Sequence, residues 1–265
     1  MSNIKPKKSL GQNFLRDEEI LKKIISVSNI NTDDFILEVG PGEGVLTEKL
    51  VKQAKKVLAI EIDKELIDCL QKKFTGKKNI ELIQADILKI NLPEIIQKKI
   101  PEYKYKLIAN IPYYITSKII RLFLETTHRP TEMILMVQKE VAERIIAKPG
   151  QLNILALSVQ YYATPELLFI VPKKAFFPVP EVDSAIIKIS LNKTAKTEKE
   201  ATSKFFRTIR AGFSAKRKTL ANNLSASFKI TKTEALEKLK KIEINPNARA
   251  QELSLAEWKK LVELF

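Results

Sequence analysis

Apolar and polar positions follow two rhythms along the chain, and the change between them divides it. In the first part, short runs that are apolar nearly throughout recur at 35–39, 57–61, 80–84, 105–109 and 133–137. Between the earlier runs the apolar residues take helical spacing, as with Val45, Leu46, Leu50 and Val51 in 44–54, and again near 64–74. Runs without alternation suit strands covered on both faces, and strands alternating with helices predict a doubly wound parallel sheet. Ile20, Leu21, Ile24 and Ile25 share one face of a helix starting near Asp17, and Pro93 suits the first turn of a short helix towards Lys99. Helices are predicted over 138–147 and 152–162, parted at Pro149-Gly150, and the last strands over 167–171 and 185–189.

From 192 to 200 the chain is polar with no apolar period, which reads as a linker. Beyond it the rhythm is helical only. Phe205, Phe206, Ile209 and Phe213 share one face, followed by Leu220 and Leu224. Thr231-x-x-Glu234 and Ser254-x-x-Glu257 match the capping box that opens a helix. The expectation is an α/β domain over 1–191 and a small helical domain over 200–265, a division that 265 residues accommodate.

Charge changes the picture more than composition does. Lys+Arg 46 against Asp+Glu 31 leaves +15, an excess that points to a polyanionic partner, nucleic acid before membrane. Lys5, Lys7 and Lys8 give a basic start. Lys204, Arg207, Arg210, Lys216, Arg217 and Lys218 crowd the first two predicted helices of the second domain with no acid among them. Such a run is commonly a solvated face; its density favours RNA. Cys69 is alone, so no intrachain disulfide forms, a usage that fits a reducing compartment; its place is that of a small helical core residue. A lone His128 offers no zinc cluster, and no metal is expected. The first residues lack an apolar signal segment and no run is long enough to span a bilayer, so a cytoplasmic protein is expected.

The chemistry-bearing residues fall at strand ends. Gly40, Gly42 and Gly44 follow the first run and can take positive φ, letting a ligand lie on bare backbone. The spacing is not that of a dinucleotide fingerprint, because Val45 stands where the third glycine belongs. Glu61 ends the next strand at the distance at which a carboxylate meets ribose hydroxyls, and Asp86 ends the one after. This describes a nucleoside cradle without a phosphate clamp, unless the acids merely cap helices. The fourth strand empties into Asn110-Ile111-Pro112-Tyr113. Pro112 keeps Ile111 out of the helical region, Asn110 can accept from an amino group and Tyr113 can stack on a base. Gly11-Gln12-Asn13-Phe14-Leu15 either folds over the ligand or is a plain loop with one buried Phe, and the residues alone favour the loop. Three prolines (Pro172, Pro178 and Pro180) hold the 172–180 loop extended, with Phe176 or Phe177 presented from it.

Jointly these motifs resemble those of the ribosomal RNA adenine N6-dimethyltransferases. They are Gly11-Gln12-Asn13-Phe14-Leu15, Glu38-Val39-Gly40-Pro41-Gly42, Asn110-Ile111-Pro112-Tyr113 and Phe176-x-Pro178-x-Pro180-x-Val182-x-Ser184. The C-terminal stretches 213–220 and 247–254 are similar to the bacterial small-subunit, kasugamycin-sensitivity branch, and match the large-subunit, macrolide-resistance branch poorly. Tyr114, where the familiar bacterial form has Asn, is a minor departure.

The resemblance implies a Rossmann-like class I methyltransferase sheet with a helical RNA-binding domain, and S-adenosylmethionine as cofactor. It puts cofactor contacts on Asn13, Leu15, Gly40, Glu61, Asp86 and Asn110, with Glu61 on the ribose and Asp86 on the adenine amino group. Tyr113 and Phe176 would sandwich the target base, with Asn110, Ile111 and Pro112 beside its N6; Arg207, Arg210, Lys216, Arg217 and Lys218 would meet RNA. The implied reaction is dimethylation of two adjacent adenosines in the 3′-terminal hairpin of 16S ribosomal RNA, on an immature 30S subunit, by a monomer. The rivals are a large-subunit enzyme and a nucleic-acid-binding relative without chemistry.

Overall fold

The computed structural model describes residues 5–7, 10–192 and 199–265; Lys8 and positions 193–198 of the expected linker lie outside them. The chain forms two units, one from residues up to 142 and from 165–191, the other from 143–164 and from 192 onwards.

In chain order the elements are β1 (Phe14–Leu15), α1 (Glu18–Val27), β2 (Phe35–Val39), α2 (Val45–Gln53), β3 (Lys56–Glu61), α3 (Lys64–Lys73), β4 (Ile80–Gln84) and α4 (Leu92–Lys99). Then come β5 (Lys106–Asn110), α5 (Thr116–Glu125), β6 (Glu132–Gln138), α6 (Lys139–Ile145), α7 (Ile154–Tyr162), β7 (Ala163–Val171), β8 (Phe176–Phe177) and β9 (Ser184–Leu191). The main sheet has the order β4-β3-β2-β5-β6-β9-β7. Strands β2 to β6 pair in parallel, and β9 runs antiparallel to β6. The expected doubly wound class is therefore present. Leu37, Val57, Ala59, Leu107, Ile108 and Leu135 are fully buried, as strands covered on both faces require.

The chain order reverses between β2 and β5. In an open parallel sheet that switch point leaves a crevice at the carboxyl ends of the two strands. Gly40 follows β2 there and Asn110 ends β5.

Several elements differ from the sequence expectation. Helix α5 is not among the predicted elements, although Ile119, Ile120, Phe123 and Leu124 bury one face at helical spacing. Strand β7 begins four residues earlier than predicted and holds Pro165; as the last strand of the sheet it tolerates a residue without an N–H. The 172–180 loop is not simply extended: a 3-10 turn at Lys173–Ala175 leads into β8, which pairs antiparallel with β1.

In the second unit α8 (Lys199–Gly212), α9 (Leu220–Phe228), α10 (Lys232–Lys241) and α11 (Leu255–Val262) surround Phe205, Ile209, Leu224 and Trp258. Leu152, Ala156 and Leu157 join the same core, so residues counted with the first domain by sequence contribute to this one. Gly212 is needed for packing, since a Cβ there would come within 2.4 Å of the Trp258 ring. Both expected capping boxes form, at Thr231/Glu234 and Ser254/Glu257. Among the described residues no helix is long and apolar enough to cross a membrane.

Candidate active site

A cavity of about 270 Å³ opens at the switch point. Its floor is the loop after β2, where Gly40, Gly42 and Gly44 all take positive φ, between 59° and 73°. The Gly40 N–H bonds to the Ile60 carbonyl at 2.9 Å, fixing the start of the loop to β3. At Gly42 the lack of a side chain is used directly: a Cβ would stand 3.2 Å from the Phe14 ring, which packs against the loop.

The walls are acidic. Glu61, 5% exposed, accepts from the backbone N–H groups of Ile62 at 2.9 Å, Asp63 at 3.0 Å and Gly42 at 3.3 Å. Burial pushes its carboxyl above the ordinary value, and those three donors oppose the shift. Glu38, 1% exposed, is pushed up to about 8, chiefly by burial; the Thr47 hydroxyl and Lys73 pull it down and Glu61 adds to the rise. Asp86 lies beyond β4, its Oδ1 accepting from the Leu88 N–H at 3.0 Å. Glu43 also lines the cavity and pairs with Arg16 at 2.7 Å. Against these acids stands Lys118. Carboxyl groups at the ends of two neighbouring strands, Glu61 and Asp86, suit the hydroxyl and amino groups of a nucleoside better than a pyrophosphate.

The segment before β1 closes over one side. Lys7 donates to Asp63 at 2.8 Å and to Glu65 at 3.0 Å, while Gln12 donates to the other Asp63 oxygen at 3.0 Å. Burial works against charge on Asp63, but these donors and the Glu65 N–H hold it below the ordinary carboxylate value. Asn13 comes to the far wall, where its carbonyl accepts from Asn110 Nδ2 at 3.4 Å. Ile111, Pro112 and Tyr113 continue that wall beyond β5.

The sequence profile described as "Ribosomal RNA adenine dimethylase" matches residues 3–265, nearly the whole chain. The chain belongs to the ribosomal RNA adenine dimethylase family. A relative from Dehalococcoides mccartyi, named "Ribosomal RNA small subunit methyltransferase A", is 47% identical over 258 residues, covering 97% of this chain and 88% of its own. A protein of the same name from Fusobacterium nucleatum is 44% identical, with 98% of each chain covered. Among solved structures, a dimethyladenosine transferase from Plasmodium falciparum superposes with TM-score 0.79 at 28% identity, covering 94% of this chain and 95% of that one. The 23S rRNA methyltransferase ErmE gives 0.76 at 27% identity, with 95% and 99% covered.

As a member of the dimethylase family, the chain brings Asn13, Leu15, Gly40, Glu61, Asp86, Asn110, Ile111, Pro112 and Tyr113 to one cavity. Phe176, expected beside the target base, does not line this cavity. It is 3% exposed, packed in the core of the first unit and absent from the cavity lining, whereas Phe177 is 58% exposed. Phe176 and Phe177 are the two residues of β8, and successive side chains on a strand point to opposite faces. The Gly11–Leu15 segment likewise departs from the plain-loop expectation, since both Phe14 and Leu15 are buried and it lines the cavity. Arg207, Arg210, Lys216, Arg217 and Lys218 are all exposed in the second unit. Lys216–Lys218 stand in the turn after α8, not in a helix, and buried Asn223 shapes that turn by donating to Gly212 O at 2.6 Å and Ala215 O at 3.0 Å.

Proposed function

We propose that this chain transfers methyl groups from S-adenosylmethionine to N6 of adenosine in small-subunit ribosomal RNA. The finer reading is dimethylation of two adjacent adenosines in the 3′-terminal hairpin, by a single chain acting on an immature small subunit. The carrying observation is Asn110-Ile111-Pro112-Tyr113 at the end of β5, beside an acidic cavity of nucleoside character at the switch point. Relatives at 41–47% identity carry a small-subunit name, against 27% for the large-subunit ErmE structure.

The lining fits the cofactor. Glu61, held by three backbone donors, presents a carboxylate to ribose hydroxyls, and Asp86 an acceptor to the adenine amino group. Glu38, whose carboxyl burial pushes up to about 8, and Glu43, paired with Arg16, line the same cavity without adding a free charge, and Gly40 and Gly42 allow contact with backbone. When bound, the cofactor supplies a methyl group already activated on sulfur, so the chain's task is the acceptor. The N6 lone pair of adenine is delocalised into the ring. Asn110 Oδ1 and a carbonyl of the Ile111-Pro112 turn, accepting from N6–H, hold the nitrogen pyramidal and in line with the methyl. Tyr113 stacks on a base flipped from its hairpin, which offsets part of the unstacking cost. The exposed cations of the α8 to α9 region meet phosphates.

Labelled cofactor offered separately to unmodified small subunits, large subunits and duplex DNA tests the reading. Incorporation into small subunits alone is expected; equal or preferential labelling of large subunits or DNA would overturn it.

A further inference from the structure

Tyr113 stands on a short support. The turn Tyr113–Ile115 is a single 3-10 turn closed by Ile115 N–H to Pro112 O at 3.2 Å. An aromatic ring on such a turn can swing about χ1, yet a stacking platform must keep one orientation. The ring's hydroxyl reaches into the sheet, where it shares a 2.7 Å hydrogen bond with the Ser184 hydroxyl.

Ser184 is well placed to hold it. It is 0% exposed and is the first residue of β9. The register pairs Ser184 with Gln138 and Ile186 with Met136, and Met136 in turn with Asn110. Because β9 runs antiparallel to β6, its first residue arrives at the carboxyl ends of β5 and β6, the edge where the cavity opens. Seven consecutive register pairs, Glu132↔Ser190 through Gln138↔Ser184, fix that strand, so the Ser184 hydroxyl is a rigid point beside a loop. Burial raises the Tyr113 phenol above its ordinary value, and the Ser184 hydrogen bond works against the rise. The Ser184 hydroxyl is closed off from solvent, and leaving a buried hydroxyl unpaired is costly.

We propose that Ser184 is a positioning residue for methyl transfer, holding the Tyr113 ring in the orientation in which it stacks on the acceptor adenine. This rests on the reading of Tyr113 as the stacking face given above. Ser184 is not part of the cavity lining; it acts through the ring. A misplacement of about 1 Å at a reacting centre is enough to slow transfer by up to about 10²-fold.

The experiment is a double-mutant cycle on the full chain, with small subunits lacking the modification as substrate. Ser184→Ala and Tyr113→Phe remove the same bond from opposite ends, so each should lower the single-turnover rate by about tenfold. The double variant should be no slower than either single one. Cofactor affinity should stay within about twofold of the parent, and Ser184→Thr, which keeps the hydroxyl, should restore most of the rate. Tyr113→Ala, which deletes the ring, should be slower than all of these. If the two single effects multiply in the double variant, or if Tyr113→Phe transfers at the parental rate while Tyr113→Ala is slow, the Ser184 role is overturned and the stacking role stands. A parental rate in Tyr113→Ala would instead overturn the stacking reading itself. Tyr113→Phe leaves the sheet untouched, so the inference stays testable even if Ser184→Ala fails to fold.

Discussion

The side-chain amide of Asn110 donates from Nδ2 to the main-chain carbonyl of Asn13 across 3.4 Å, tying the end of β5 to the segment before β1. With its nitrogen turned to Asn13, the amide leaves Oδ1 for the N6–H under the proposed reading. Asn110→Ala should therefore slow transfer by about 10²-fold or more, the cost of losing one preorganised partner at comparable polar sites. Cofactor affinity should fall only modestly and RNA affinity should hold. Only one N6–H remains for the second transfer, so residual product should be enriched in monomethyladenine. Single-turnover kinetics with mass spectrometry of the digest measures both; near-parental rates would remove Asn110 from the chemistry.

Glu61 is bound to the backbone on three sides and still faces the cavity. Glu61→Ala should weaken S-adenosylmethionine binding by roughly 1.5–3 kcal/mol, the worth of hydrogen bonds to a charged group. Calorimetry reads this directly, and unchanged affinity would mean the ribose is held elsewhere.

Glu38 links the same cavity to stability. Its carboxyl is raised from the ordinary 4.5 to about 8, mainly by burial. A buried acid with a raised pKa binds more protons in the folded than in the unfolded state, so stability falls as pH rises from about 4.5 to about 8 and levels off beyond. Glu38→Gln should flatten that decline in the cofactor-free protein, with a gain on the order of a few kcal/mol at the alkaline end. Thermal midpoints across the interval would show it. Parallel profiles for parent and variant would place the titration on another group.

Much of this site was legible because its parts are local. Gly40, Gly42 and Gly44 sit directly after a run of apolar residues, and Asn110 to Tyr113 directly after another, so strand ends could be read before any pairing was known. What escaped was carried by distant partners. Ser184 lies 71 positions from Tyr113, Asp63 lies 56 from Lys7 and 51 from Gln12, and nothing in the local pattern joins them. The choice between Phe176 and Phe177 also rested on distant residues: two adjacent aromatics point opposite ways on a strand, and only the core that closes over Phe176 says which is inside. Helix α5 is a different case. Its apolar period is plain in Ile119, Ile120, Phe123 and Leu124, and is overshadowed by the loop motif before it.

Arg210, Lys216, Arg217 and Lys218 are exposed, whereas Arg207 also lies over the Phe228 ring, 5.0 Å from its centroid. Neutralising the first four to Gln while keeping Arg207 should weaken RNA binding without altering cofactor affinity. The log–log salt slope should also become shallower by roughly 0.7–0.9 for every phosphate no longer neutralised. An unchanged slope and affinity would make this face a solvated one.

The most direct test of the whole account is the identity and place of the product. Small subunits lacking the modification are incubated with isotope-labelled S-adenosylmethionine and the purified chain, and their ribosomal RNA is cut and sequenced by mass spectrometry. N6,N6-dimethyladenosine is expected at two neighbouring positions in the 3′-terminal fragment. Label confined to another base, to another fragment, or to no RNA at all would contradict it.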